Sequence, residues 1–312
     1  MIRIGVSSCL LGKKVRYDGQ HKKDDFLVDV LGAHVEFVPV CPEVELGLGT
    51  PRPIIHLADV GGTVRLLMPS TGRDLTADMD RFAARRAADL DGEELCGYVL
   101  KKDSPSCGME RVKVRRGDQA PRDGVGRFAR ALLARFPHLP VEEEGRLRDA
   151  RLRDNFVERV FAFHRLKQLW AGRWTQGDLV AFHTAHKLAL LAHAPVAYQA
   201  LGRLVAGGKA LGRAALRDEY TGGFMDGLAV LATRGRHTNV LQHMAGYLRD
   251  GLDAASRDEL AGVIADYRAG LVPLIVPVTL LRHHARVHGI AYLLGQVYLD
   301  PHPKELMLRN HV

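Results

Sequence analysis

Near residue 147 the hydrophobic pattern of this 312-residue chain changes period, so its two halves cannot share one layer architecture. Before that point, short apolar runs alternate with turn clusters and helical patterns. Strands are predicted over 2–8 (IRIGVSS), 34–40 (HVEFVPV), 96–101 (CGYVLK) and, more weakly, 63–68 (TVRLLM). Residues 74–90 read as an amphipathic helix, with Leu75, Met79, Phe82 and Ala83 at helical spacing, and 124–136 read as another. Strands alternating with helices imply an α/β domain with a mostly parallel, Rossmann-like sheet. Beyond residue 147 the period is helical almost throughout. Thr175 is a natural N-cap with Asp178 in the first turn, and Ser256 with Glu259 reads as a capping box for a helix that stops at Gly270. Pro273 and Pro277 open what reads as a long final helix. The stretch 140–146 (PVEEEGR) is the expected linker. The organisation expected is an α/β domain over 1–145 and an all-α domain over 146–312, in keeping with a length too great for one ordinary core.

Composition narrows the function classes. An apolar share of 46% and a charged share of 26% belong to a globular chain. No apolar stretch approaches the roughly 20 residues needed to span a bilayer. The N-terminus, MIRIGVSSCLLGKK, lacks a signal-peptide core and cleavage site and reads as a first buried strand. A cytoplasmic location follows as the expectation, with the four cysteines reduced. There is no CxxC, which counts against a thioredoxin-like redox centre. The net charge of +8 is unevenly spread: residues 1–145 carry 22 Lys and Arg against 22 Asp and Glu, whereas 146–312 carry 22 against 14. A basic excess confined to one domain suits a polyanionic partner such as nucleic acid, beside the plainer reading of a soluble basic surface.

Three cysteines follow strands. Cys9 comes after 2–8, Cys41 after 34–40, and Cys107 six residues beyond Lys101, at the end of the loop KKDSPSC. In an open parallel sheet the carboxyl ends of the strands share one edge, where ligand crevices form, so three thiols distant in sequence can converge. Cys96 precedes its strand and belongs at the opposite edge. A lone buried cysteine is often only a small hydrophobe, but three after three strands suggest a metal centre. Zinc and an iron–sulfur cluster both remain open on spacing alone.

The blocks SSCLLGKKVRYDG, CPEVELGLGTPR and LKKDSPSCG resemble the thiouracil desulfidase family, and the likeness covers essentially residues 1–145. RHTNVLQHMAGYL, YRAGLVPLIVP and YLDPHPKELMLRN resemble the helical domain fused to it in two-domain bacterial proteins linked to removal of sulfur from 4-thiouridine in tRNA. The resemblance implies a [4Fe–4S] cluster held by Cys9, Cys41 and Cys107 with one open iron. It implies a hydrolytic, non-redox desulfuration: the iron draws on a soft thiocarbonyl sulfur, a carboxylate activates water, and hydrosulfide leaves. The base is expected in CPEVE, with Glu45 first and Glu43 as the alternative. Ser104, Lys101 and Lys102 are expected to hold the substrate ring or supply a proton, with Asp103 and Ser106 less favoured; Arg16 and Asp18 are further crevice candidates.

The expected partner is thiolated tRNA, met by the basic helical domain, with neither a membrane nor an obligatory protein partner. Its contact residues are expected in 146–154, through Arg146, Arg148 and Arg151, and in 233–243, through Arg234, Arg236, His237 and Asn239 at a helix N-terminus. The pairs His183/His186 and His284/His288 share helix faces, but no carboxylate pattern accompanies them, so they read as core or RNA-facing groups. Trp170, Trp174, Phe161 and Phe163 read as core. Two rivals stand beside this reading: desulfuration of free thiouracil bases, and a non-enzymatic RNA-binding protein with a structural zinc. The CxxxCxxC spacing of radical enzymes is absent.

Overall fold

The computed structural model describes residues 1–312, apart from the side chain of Lys209. The chain divides into two compact units, Met1–Arg148 and Asp149–Val312.

The first unit contains β1 (Arg3–Ser7), β2 (Glu36–Val40), α1 (Pro42–Glu45), β3 (His56–Val60), β4 (Thr63–Met68), β5 (Arg73–Asp74), α2 (Thr76–Asp89), β6 (Gly97–Leu100), β7 (Val112–Arg115), β8 (Arg122–Gly124), α3 (Arg127–Arg135) and β9 (Val141–Glu143). Four strands form a wholly parallel sheet in the order β2-β1-β6-β9. Its two central strands are buried almost throughout, as near-continuous apolar runs require. Gly5 on β1 faces Tyr98 on β6, and the fully buried ring fills the space that a side chain at Gly5 would need: a Cβ there would lie 2.1 Å from it. Helices α2 and α3 pack on one another and bury Met79, Phe82, Phe128 and Leu132. The α/β class with a parallel sheet is as the periodicity implies.

Two readings of this unit are corrected. Residues 140–146 are no linker: β9 pairs with β6 as the edge strand, and Glu142 and Glu143 are buried. Their charges are met locally, since Glu142 accepts from Arg146 Nε at 2.6 Å and Glu143 accepts the Met109 N–H at 2.7 Å. Strand 63–68 does not join the parallel sheet. It is β4 of a second sheet, ordered β5-β4-β3-β7-β8, in which only β3 and β7 run parallel. The tight β3–β4 connection at Gly61-Gly62, both at positive φ, makes it an antiparallel hairpin.

The second unit is helical: α4 (Ala150–Trp170), α5 (Gln176–His193), α6 (Pro195–Gly207), α7 (Arg213–Ala229), α8 (Arg234–Gly246), α9 (Ala254–Ala269), α10 (Ile275–Val287) and α11 (Ala291–Leu294). The Thr175–Asp178 capping box is present at α5. At α9 the cap is Asp253, which accepts the Ser256 N–H at 2.7 Å, so Ser256 lies inside the helix rather than capping it. The long final helix is interrupted after Val287, where Gly289 takes φ +63°. One core gathers Trp174, Tyr220 and Phe224, and another gathers Leu241, Met244, Leu281 and Tyr298. Among the described residues no helix is long and apolar enough to cross a membrane.

Candidate active site

The carboxyl edge of the parallel sheet opens into a crevice of about 370 Å³. Cys9 stands on the helical turn after β1, Cys41 immediately after β2, and Cys107 at the end of the loop after β6; all three line it. Cys96 does not line the crevice, and its thiol donates to the Glu94 carbonyl at 3.7 Å. None of the four is in a disulfide. Burial pushes the Cys9 thiol up to about 11, although Lys101 and Arg16 nearby favour its thiolate. Burial likewise raises Cys41 and lifts Cys107 far above the ordinary thiol range, against a hydrogen bond with Ser7. Charge on Cys41 further raises Cys9, and charge on Cys9 and Cys41 further raises Cys107, as groups sharing one space do. Among the described residues no three Cys, His, Asp or Glu close around a single point in the manner of a one-ion site. Three soft thiol donors in one crevice, with Lys101 and Arg16 near to favour the Cys9 thiolate, suit a soft metal centre such as an iron–sulfur cluster.

The two candidate bases are separated by the geometry. Glu43 lines the crevice, and Arg52, with its side chain 3% exposed, grips its Oε2 from Nε at 2.9 Å and from a terminal nitrogen at 2.6 Å. The Ser106 hydroxyl donates to Glu43 Oε1. Glu45 does not line the crevice. Its Oε1 accepts the Cys41 N–H at 2.9 Å, and its Oε2 pairs with Arg86 Nε at 2.9 Å. Glu45 therefore caps the short helix behind Cys41, while Glu43 lines the crevice that holds the thiols.

Lys101, Lys102 and Ser104 all line the crevice. Lys101 Nζ pairs with Glu144, whose other oxygen accepts the Lys102 N–H at 2.8 Å, while Lys102 Nζ is 4.0 Å from Asp103. Ser104 Oγ accepts the Cys107 N–H at 3.0 Å, so its first duty is shaping the cysteine loop. The loop is clamped from outside by the start of α3: the Ser106 carbonyl takes the N–H groups of Phe128 and Ala129 at 3.0 and 3.1 Å, and the Gly108 carbonyl takes that of Gly126 at 2.8 Å. Arg16 lines the crevice and Asp18 supports it from outside at 3.4 Å. Arg52 and Ser106, the two groups that hold Glu43, are not singled out by any local sequence pattern. The only trace of Arg52 is its place in the block CPEVELGLGTPR, nine residues after Glu43.

The expected RNA-contact residues fall in both units. Arg146 and Arg148 belong to the first unit, and Arg146 is engaged by Glu142 and, at 2.8 Å, by Glu110. Arg148 is exposed, and so is Arg151, which donates to the Ala232 carbonyl at 3.1 Å. Arg234 is exposed beside the Tyr267 ring, and Asn239 is exposed. Arg236 donates to the His193 carbonyl at 2.6 Å. His237 is corrected: it is 3% exposed, bonded to the Tyr298 hydroxyl at 2.9 Å, and burial pushes its pKa down to about 3, so it is a neutral core group. Thr233 already caps the α8 N-terminus through the Arg236 N–H at 3.3 Å. His183 and His186 are buried, the first on the Tyr220 hydroxyl and the second stacked on Phe182.

The fold and site thus define a two-domain protein in which an α/β unit presents three thiols, a glutamate held by a buried arginine and two lysines in one crevice, and a helical unit follows. Residues 4–144 match the family described as 2-thiouracil desulfurase, so the first unit is a domain of that family. Residues 187–303 match the family described as protein of unknown function DUF1722. The uncharacterized protein YbgA of Escherichia coli (strain K12) is 34% identical over 164 residues, which is 51% of this chain and 95% of that one. The uncharacterized protein YbbK of Bacillus subtilis (strain 168) is 34% identical over 113 residues, 33% of this chain and 71% of that one. A solved structure described as the [4Fe-4S]-dependent thiouracil desulfidase TudS is 37% identical over 48% of this chain and 95% of that chain, with a TM-score of 0.41.

Proposed function

We propose that the protein is an iron–sulfur desulfidase that hydrolyses the C=S bond of a thiolated pyrimidine, with 4-thiouridine in tRNA as its substrate. The observation that carries this is the meeting of Cys9, Cys41 and Cys107 with Glu43 in one crevice. The three thiols would hold a [4Fe–4S] cluster, whose open iron would supply a soft Lewis acid for the thiocarbonyl sulfur. Loading requires the thiols to give up their protons, and the ammonium of Lys101 and guanidinium of Arg16 stabilise the resulting thiolates.

Glu43 supplies the base. Arg52 and Ser106 fix its carboxylate against rotation, so one carboxylate oriented toward the crevice can take a proton from water while that water attacks the ring carbon. Water adds its oxygen to the carbon, sulfur departs as hydrosulfide, and no electrons change hands. Lys101 and Lys102 supply positive charge at the wall where the departing sulfur and the ring carbonyl must be stabilised. The RNA reading is supported by the basic excess of residues 146–312. Free thiouracil is the second reading, favoured by the size of the crevice, which suits one pyrimidine.

Iron, acid-labile sulfide and zinc per chain, measured on protein purified without oxygen, test the centre. About four irons and four sulfides are expected, lost in Cys9→Ser, Cys41→Ser and Cys107→Ser and kept in Cys96→Ser. Zinc bound stoichiometrically in place of iron would overturn the desulfidase reading. Turnover of thiolated tRNA against free 2- and 4-thiouracil then ranks the substrates.

A further inference from the structure

The second sheet carries a groove that the desulfuration chemistry leaves unused. It has a volume of about 540 Å³ and is lined by His56, Asp103, Lys113, Arg115, Asp118 and Arg122. It adjoins the thiol crevice, with which it shares Ile55, Asp103 and Pro105 as a common wall.

The pleat explains why cations collect there. Along β7, Val112 and Val114 are buried while Lys113 and Arg115 are exposed, so the strand turns its apolar side inward and its two cations outward. In register, Lys113 faces Arg122 of β8, and Arg115 faces Ala58 of β3, which in turn faces Arg65 of β4. The outer face therefore carries basic residues on β4, β7 and β8, with the small Ala58 of β3 between Arg65 and Arg115. Arg122 is tied to Asp103 at 2.5 Å and Arg65 to Asp74 at 3.1 Å. Lys113 and Arg115 have no carboxylate partner among the described residues. Arg115 also presses on His56, whose pKa is lowered first by burial and then by that charge. Placing like charges together without counter-ions costs folding free energy, which a bound anion would recover.

We infer that this groove holds the phosphates of the RNA strand on either side of the thiolated nucleotide, with Lys113 and Arg115 as the phosphate-binding residues. The inference rests on the desulfidase reading for the base in the crevice, and it assigns the strand's path to the first unit's own sheet. The shared wall sets the geometry: a base turned into the crevice leaves its sugar–phosphate at the rim formed by Asp103 and Pro105, and the groove begins on the other side of that rim. Asp118 and the paired Asp103 line the groove too, so an anion is drawn toward β7 rather than along the whole surface.

The test compares the full-length protein with Lys113→Gln/Arg115→Gln, and with the charge reversal Lys113→Glu/Arg115→Glu. Binding of thiolated tRNA and its unthiolated counterpart is followed by fluorescence anisotropy across a salt series, with circular dichroism to confirm folding. The neutral double variant is expected to bind either tRNA about tenfold more weakly, with a salt slope shallower by roughly one to two. Turnover of free thiouracil should be retained, since neither residue lines the thiol crevice. Unchanged tRNA affinity and slope in both folded variants would overturn the inference and leave the desulfidase reading intact. No tRNA binding by the parent protein, with free thiouracil still turned over, would overturn it as well. Weakened RNA binding in a protein that desulfurates no substrate would support the groove and sink the proposed chemistry instead.

Discussion

Glu43 and Glu45 stand two positions apart on a helix of four residues, and their partners give them different duties. Glu43 is held by Arg52 and Ser106 at the crevice wall; Glu45 is spent on the Cys41 N–H and on Arg86. Glu43→Gln is therefore expected to lower turnover of a thiolated pyrimidine by about 10²–10⁴ with the iron content kept, which is the usual contribution of a positioned base. Glu45→Gln keeps an oxygen for the Cys41 N–H and loses only a partly exposed ion pair, so turnover should stay within a few-fold and stability within about 1 kcal/mol. Steady-state rates and iron analysis on both variants decide it, and the reverse ranking would return the role to Glu45. At this scale the edge of the sheet that the thiols occupy was legible, and the different partners of the two glutamates were not. A cysteine after a strand declares its edge of the sheet by position alone. The direction of a side chain on a single helical turn is set by Arg52, nine residues further along, and nothing local announces that pairing.

The cysteine loop between β6 and β7 is an element without secondary structure of its own, and it owes its shape to α3. Gly126, just before that helix, lies so close to the loop that a Cβ would sit 2.5 Å from the Ser106 carbonyl oxygen, 2.6 Å from its carbon and 2.8 Å from the Gly108 nitrogen. All three are backbone atoms, which cannot swing away as a side chain would. Gly126→Ala should displace the loop that carries Cys107, costing about 1–3 kcal/mol of stability and lowering the iron bound. Gly262→Ala, on exposed α9 with nothing near its added methyl, should raise stability by about 0.5–1 kcal/mol and leave iron unchanged. Melting temperature and iron content of the pair measure the contrast; equal iron in both would remove the clamp's importance. The elements the periodicity missed share a cause. The three consecutive glutamates at 142–144 look like a solvated turn, yet Glu142 and Glu143 end the buried strand β9, met by Arg146 and the Met109 N–H, while Glu144 just beyond it pairs with Lys101. In β3 the run HLADV shows no clean alternation, because its pairing with β4 and β7 buries two adjacent residues, Leu57 and Ala58.

At the scale of the whole molecule, the helical unit is built around ionisable groups that a simple apolar core would not need. Glu158, 3% exposed, lies 3.4 Å from His193 and 3.7 Å from Arg309, and Asp154 lies 3.0 Å from His302. Burial works against the charge on Glu158, but His193, Arg309 and His302 outweigh it and hold the carboxyl below its usual range. Burial likewise opposes charge on His193, and Glu158 reverses the balance and raises it. Two neighbours behave oppositely: burial pushes His186 down to about 4 and His237 down to about 3. The signs then follow by linkage. Below pH 6.5 the unfolded chain protonates His186 and His237 while the folded one does not, so stability falls with pH down to about 4 and 3 respectively. His193 contributes stability that is fully present below pH 6.5 and is lost as pH rises through its raised folded value. The unit should therefore be most stable near neutrality. Between pH 7.5 and 5, His186 and His237 are each expected to cost about 2 kcal/mol, some 1.4 kcal/mol for each pH unit below 6.5. Both tryptophans of the chain, Trp170 and Trp174, lie in this unit, so the denaturant midpoint of their fluorescence reports it without the first unit's signal. His237→Gln, which can still bond the Tyr298 hydroxyl, should weaken that acid sensitivity; an undiminished dependence would mean that His237 is not among its sources.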